Sequence, residues 1–162
     1  MNLLKIIFIL FPLFCFSQKH LLVGDSQAFY LAQQTNEIML IDKLSQPGIG
    51  VEQLIQKVNS YPISKDVKSV SVSIGVNDGY KDKGIDKLLN LLNKKFPNAI
   101  ILIIKGSYGW GSVKNIEKDT INNYYDNYKG CIVVNPDIGK GDPHHNKKIY
   151  KTIVDKILDI IY

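Results

Sequence analysis

Ser26 follows Gly24-Asp25 directly after an apolar run, His20-Leu21-Leu22-Val23, and opens a segment to Gln34 that reads as a helix. A serine at such a junction has its hydroxyl at the rim of a sheet, where the helix dipole and its first N–H groups favour a developing oxyanion. To act as a nucleophile at neutral pH it needs a base, and the base needs a partner that holds its tautomer. The chain has three histidines. His20 starts the first strand, at the wrong end of the sheet, which leaves His144 and His145 in the run Asp142-Pro143-His144-His145. Asp142 and His145 are three apart, so one turn at the start of the last helix would set carboxylate beside imidazole, and this spacing favours His145 over His144. Taken singly, each residue has a plain structural explanation, since Asp and Ser are common N-caps and Gly and Asn common turn residues.

The elements that must position these groups follow from hydrophobic periodicity. Strands are predicted at His20–Val23, Glu37–Asp42, Val67–Ile74, Ala99–Ile104 and Cys131–Val134. Helices are predicted at Ser26–Gln34, Val51–Ser60, around Ile85, Leu88, Leu89 and Leu92, at Ile116–Tyr128, and at Ile149–Ile161. Ala99–Ile104 is the clearest strand, because it follows Pro97-Asn98 and is continuously apolar, as a central parallel strand is. Strands and helices alternating in this way imply right-handed crossovers and an α/β fold, a three-layer α/β/α sandwich around a five-stranded parallel sheet. Such sheets bind ligands outside the carboxyl ends of their strands. Four of the five strand ends carry Gly with a polar group: Gly24-Asp25-Ser26, Pro47-Gly48-Ile49-Gly50, Gly75-Val76-Asn77-Asp78, and the stretch Gly139 to His145.

Those four blocks, in that order, resemble the SGNH hydrolases, also called GDSL lipases and esterases. Gly24-Asp25-Ser26 matches the nucleophile block, the Gly48/Gly50 turn stands where the oxyanion glycine belongs, Gly75-Val76-Asn77-Asp78 fits G-x-N-D, and Asp142-Pro143-His144-His145 fits D-x-x-H. The resemblance implies a flavodoxin-like SGNH hydrolase fold and a Ser26-His145-Asp142 triad for ester hydrolysis. It also implies an oxyanion hole made by the Ser26 backbone N–H, a glycine N–H and the Asn77 side chain, with Gly48 preferred and Gly50 as the alternative. Asp25 is expected to be structural, bonding the backbone of its tight turn. Gln27 departs from the Leu of the family's nickname.

The remaining strand end, Lys105 to Ser112, holds the only Trp between glycines, so Tyr108 and Trp110 are candidates for a platform under a sugar ring or an acyl group. Tyr124, Tyr125 and Tyr128 on the fourth helix are expected to be packing and surface residues. The compact chain leaves little room for a deep acyl tunnel, which points to small esters, O-acetyl groups on carbohydrate foremost. A catalytically inactive glycan-binding module is the alternative reading.

Composition bounds the rest. With 45% hydrophobic and 22% charged residues the chain is an ordinary globular protein, which excludes a disordered tail, a coiled coil or a collagen-like chain. Residues 1–17 read as a secretory signal peptide: Lys5 supplies the positive charge, Ile6 to Phe16 is a short apolar run, and Cys15 and Ser17 are small residues before the cut expected near Ser17/Gln18. Residues 18–162 are then one exported domain, periplasmic or secreted, with no stable membrane insertion after cleavage. Cys131 is its one cysteine and is expected to be a buried, inert thiol. The net charge of +5 comes entirely from Lys, with no Arg anywhere, which argues against a nucleic-acid reader. No G-x-G-x-x-G or P-loop lysine marks a nucleotide site, and the adjacent histidines with one aspartate make no convincing metal set, so neither cofactor nor metal is expected.

Overall fold

The alternation of apolar runs and amphipathic segments folds into a parallel sheet flanked by helices, seen in a computed structural model that describes residues 19–36, 39–106, 118–128, 131–134, 144 and 146–162. In chain order the elements are β1 (Lys19–Gly24), α1 (Ser26–Ala32), β2 (Met39–Ser45), α2 (Val51–Ser60), β3 (Val67–Ser73), α3 (Ile85–Lys95), β4 (Ile100–Ile104), α4 (Lys118–Asp126), β5 (Ile132–Val134) and α5 (Lys147–Ile161). A single 3-10 turn, Val76–Asp78, lies between β3 and α3. The strands are ordered β2-β1-β3-β4-β5, and every pairing is parallel.

Successive side chains of a strand face opposite sides of a sheet, and here each side has its own core. Leu21 and Val23 of β1, Val70 and Val72 of β3, and Ile101 and Ile103 of β4 pack in one cluster with α2, α3 and α4. Leu22, Leu102 and Ile104 pack in the other with Ala28 and Leu31 of α1 and Ile153, Val154 and Ile157 of α5. The result is the expected three-layer sandwich. In α2, Val51, Leu54, Ile55 and Val58 are all buried and recur every three or four residues, one helix face turned to the sheet. Burying one such side chain contributes roughly 1.5–3 kcal/mol, so packing rather than intrinsic propensity holds a helix of ten residues.

Most elements fall where periodicity puts them, and two corrections are informative. β2 runs to Ser45 rather than ending at Asp42, because its pairing with β1 steps from Leu22↔Leu40 to Gly24↔Ser45 across an irregularity. It is an edge strand of the sheet. The second correction concerns Tyr124, Tyr125 and Tyr128, none of which is a surface residue: they are 2%, 8% and 2% exposed. With Tyr80 they form an aromatic cluster of edge, tilted and stacked contacts, ring centroids 5.2–6.3 Å apart. Their hydroxyls stay satisfied: Tyr124 donates to the Ile74 carbonyl at 3.2 Å, and Gly106 N–H donates to Tyr125 Oη. Cys131 is half-buried rather than buried, and burial pushes its thiol pKa up, away from the reactive thiolate. Among the described residues no helix is long and apolar enough to cross a membrane.

Candidate active site

The carboxyl ends of β1, β2 and β3 are sewn together by backbone hydrogen bonds. Asp25 N–H donates to the Ser73 carbonyl at 3.0 Å, and Gln46 N–H donates to the Gly24 carbonyl at 3.0 Å. Gly24 must be glycine at this junction, since its φ is +141° and a Cβ would fall onto the Ser73 carbonyl. The chain can therefore turn tightly out of β1 and start α1 at Ser26. Asp25 is the N-cap, its Oδ1 accepting from Gln27 N–H at 2.9 Å, which bears out its structural role.

Asp25 is also an electrostatic anomaly. Its residue is 1% exposed, and among the described residues Oδ2 has no hydrogen-bond partner. Burial, with a smaller contribution from the nearby Asp78 charge, raises its carboxyl pKa to about 7, against the lowering effect of the Gln27 N–H. Asp78 is shifted upward as well, again chiefly by burial.

Ser26 is 7% exposed, and its Oγ lies 2.8 Å from His144 Nε2. With the imidazole proton on Nδ1, the serine hydroxyl donates to Nε2, which is the arrangement a general base requires. The Tyr30 ring meets the His144 ring nearly at right angles, centroids 4.9 Å apart, and so limits how the imidazole can rotate. His145 and Asp142 lie outside the described residues. α5 begins at Lys147 with Asn146 as its N-cap, its side chain accepting from Ile149 N–H at 3.1 Å. His144 precedes that helix.

The G-x-N-D block docks onto the turn before α2. Asn77 Nδ2 donates to the Ile49 carbonyl at 2.9 Å, and Asp78 Oδ2 accepts from Val51 N–H at 2.8 Å, capping α2 from a distant part of the chain. Both contacts land on the residues flanking Gly50. A Cβ on Gly50 would lie 2.5 Å from Asp78 Oδ1, whereas around Gly48, which is exposed, nothing comes within 4 Å. Gly50 is thus packed into the site and Gly48 faces outward. Gly50 N–H is held by Gln53 Oε1 at 3.1 Å.

Sequence reasoning missed three participants. Asp78 was read as part of a motif but not as the cap of α2. Gln27 accepts a hydrogen bond from the Tyr150 hydroxyl at 2.6 Å, tying α5 to α1 immediately behind the serine, and this gives the departure from Leu at that position a physical role. Tyr30, on the exposed side of α1, could be placed near a histidine only once the approach to α5 was known. Tyr108 and Trp110 lie outside the described residues.

The architecture recurs in solved structures. The chain is similar to a lipolytic protein of the G-D-S-L family from Veillonella parvula, at 12% identity, TM-score 0.62, over 88% of this chain and 97% of that one. It is similar to the C-terminal catalytic domain of peptidoglycan O-acetyltransferase A from Streptococcus pneumoniae, at 12% identity and TM-score 0.58, over 89% and 94%. A third neighbour, an acetylxylan esterase from Geobacillus stearothermophilus, has 16% identity and TM-score 0.51, over 90% and 81%. No protein-family model and no curated protein sequence matches the chain. The fold is that of the SGNH, or GDSL, hydrolases.

Proposed function

We propose that this protein is an exported serine esterase that removes small acyl groups, with O-acetyl groups on carbohydrate as its substrate. The observation that carries the reading is the 2.8 Å hydrogen bond between Ser26 Oγ and His144 Nε2 at the carboxyl edge of the sheet. In this reading Ser26 attacks the ester carbonyl while His144 takes its proton. His144 then returns the proton to the leaving alcohol, and a water activated by the same imidazole releases the acyl group from the serine. Asp142, two residues before His144, is the proposed partner that orients the imidazole. The names of two fold neighbours, an O-acetyltransferase of peptidoglycan and an acetylxylan esterase, agree with acetyl chemistry on glycans.

The proposed oxyanion hole comprises the Ser26 N–H, Asn77 Nδ2 and the N–H of Gly50, chosen over Gly48 because Gly50 packs against the G-x-N-D block; in this reading the Gly50 N–H exchanges Gln53 Oε1 for the oxyanion when substrate binds. An amide nitrogen carries two N–H groups, so Asn77 can hold the Ile49 carbonyl with one and offer the other to the oxyanion. Asn77→Ala is expected to lower kcat for p-nitrophenyl acetate by about 10²–10³-fold with a small change in KM, the pattern of a donor used mainly in the transition state. A loss confined to KM would remove Asn77 from the hole.

Because catalysis needs a neutral imidazole, kcat/KM is expected to fall as the pH drops through the histidine range, about 6.5 for an unperturbed ring. A flat profile from pH 5 to 8 would speak against any histidine base. Export is tested by N-terminal sequencing of the protein recovered outside the cytoplasm, for which residue Gln18 is expected first; retention of Met1 would overturn the signal reading. The primary test of the function is hydrolysis of p-nitrophenyl acetate and of acetylated oligosaccharides by the purified protein beside Ser26→Ala. Saccharide binding with no turnover of any ester would instead make the protein a glycan-binding module.

A further inference from the structure

Next to the serine–histidine pair, α1 and α5 bound a cleft of about 310 Å³ lined by Tyr30, Gln33, Gln34, Lys147 and Tyr150. It adjoins the pair directly, because the Tyr30 ring also meets His144, and Tyr150, its ring centroid 6.0 Å from that of Tyr30, holds Gln27 beside the nucleophile. Its volume lies at the lower end of the range of about 300–1,000 Å³ usual for small-ligand sites.

The lining has a defined chemistry. Tyr30 is 38% exposed and offers an apolar ring face of the kind on which the C–H face of a sugar rests. Gln33 and Gln34 bring amides that both donate and accept, suited to hydroxyl groups. Lys147 brings an ammonium, and among the described residues no carboxylate lines the cleft. The charge is reinforced by its setting: α5 opens with Lys147 and Lys148, both exposed, and has no acidic residue in its first turn. Ammonium groups at a helix N-terminus oppose the dipole and are ordinarily unfavourable there, so two of them beside a cleft concentrate positive potential where an anion would meet it.

We infer that this cleft is the subsite for the saccharide part of the ester, and that it takes an acidic sugar, ring against Tyr30 and carboxylate on Lys147. The inference rests on the esterase reading for its meaning, since it names the alcohol side of that substrate. It assigns specificity to residues 30, 33, 34 and 147, outside the catalytic pair.

Calorimetric titration of the protein with unacetylated oligogalacturonate and with neutral xylo-oligosaccharide of equal length tests it without any turnover. Oligogalacturonate is expected to bind at least ~10-fold more tightly, with affinity falling as salt is added. Lys147→Glu is expected to remove that preference, while Lys148→Glu, which alters the same helix end outside the cleft, retains it. Tyr30→Ala is expected to weaken both saccharides, with circular dichroism confirming the fold. Equal affinity for the two saccharides, no binding of oligogalacturonate, or a preference indifferent to Lys147→Glu would each overturn the inference. Failure of the esterase reading shows separately, as absence of ester turnover by the unmodified protein.

Discussion

Ser26→Ala is expected to reduce the turnover of p-nitrophenyl acetate by about 10⁴-fold or more, and His144→Ala by a comparable factor. In the proposed mechanism the two side chains act as one chemical unit: without the imidazole the hydroxyl keeps its proton, and without the hydroxyl the imidazole has nothing to activate. The double variant is therefore expected to lose no more than either single one, the non-additivity of groups that act together. His145→Ala separates the geometric assignment from the one that motif spacing favours. With Nε2 of His144 2.8 Å from Ser26 Oγ, His145→Ala should retain activity within about 10-fold, a change of packing or loop geometry only. Loss of activity in His145→Ala with retention in His144→Ala would return the base to the D-x-x-H register and leave the observed contact without a catalytic role.

The second large effect concerns stability. Below about pH 4 the Asp25 carboxyl is protonated in both folded and unfolded chains. As the pH rises, the unfolded chain ionises first, whereas the folded chain keeps its proton until about pH 7. Over that window the unfolded state releases the proton more readily, so stability falls with increasing pH and the loss is complete above pH 7. A shift from 3.8 to about 7 corresponds to a loss of roughly 4 kcal/mol. Asp25→Asn keeps an Oδ1 that accepts from Gln27 N–H and never ionises. It is expected to match the parent at pH 4 and to exceed it at pH 8 by an amount of order 10 °C in Tm. A Tm difference that is the same at both pH values would show that the buried carboxylate has been relieved by another route.

What the sequence discloses depends on whether an element is governed by local pattern or by what packs on it. α2 is read correctly from Val51 to Ser60 because one buried face repeats at helical spacing and nothing else competes. β4 is equally plain, a continuous apolar run in the interior of a parallel sheet. β2 is displaced because its pairing irregularity opposite Leu22 and Gly24 lets an edge strand continue through charged residues, which alternation alone treats as its end. Tyr124 and Tyr125 of α4 and Tyr128 just beyond it look amphipathic in sequence, yet Tyr80, far off in the chain, packs on the first two.

The candidate site divides along the same line. Ser26, Asp25 and Asn77 are visible because turn chemistry at strand ends is local. Which histidine faces Ser26 is a different kind of question. It turns on where α5 begins, and the Asn146 cap on Ile149 that marks that start is a feature of the folded chain. That Gly50 rather than Gly48 packs against Asp78, 28 residues further along the chain, is carried by no local signal. Tyr30 and Tyr150 acquire their meaning only from the meeting of α1 and α5.

The most direct test of an activated Ser26 is covalent. Diethyl p-nitrophenyl phosphate reacts with a serine whose proton a neighbouring imidazole removes: serine oxygen bonds to phosphorus and p-nitrophenolate leaves. Intact-mass and peptide analysis of the treated protein should find one diethylphosphoryl group, on Ser26, absent from Ser26→Ala and formed far more slowly in His144→Ala. A folded protein that takes no label, or takes it on another residue at the same rate with and without His144, would contradict the account.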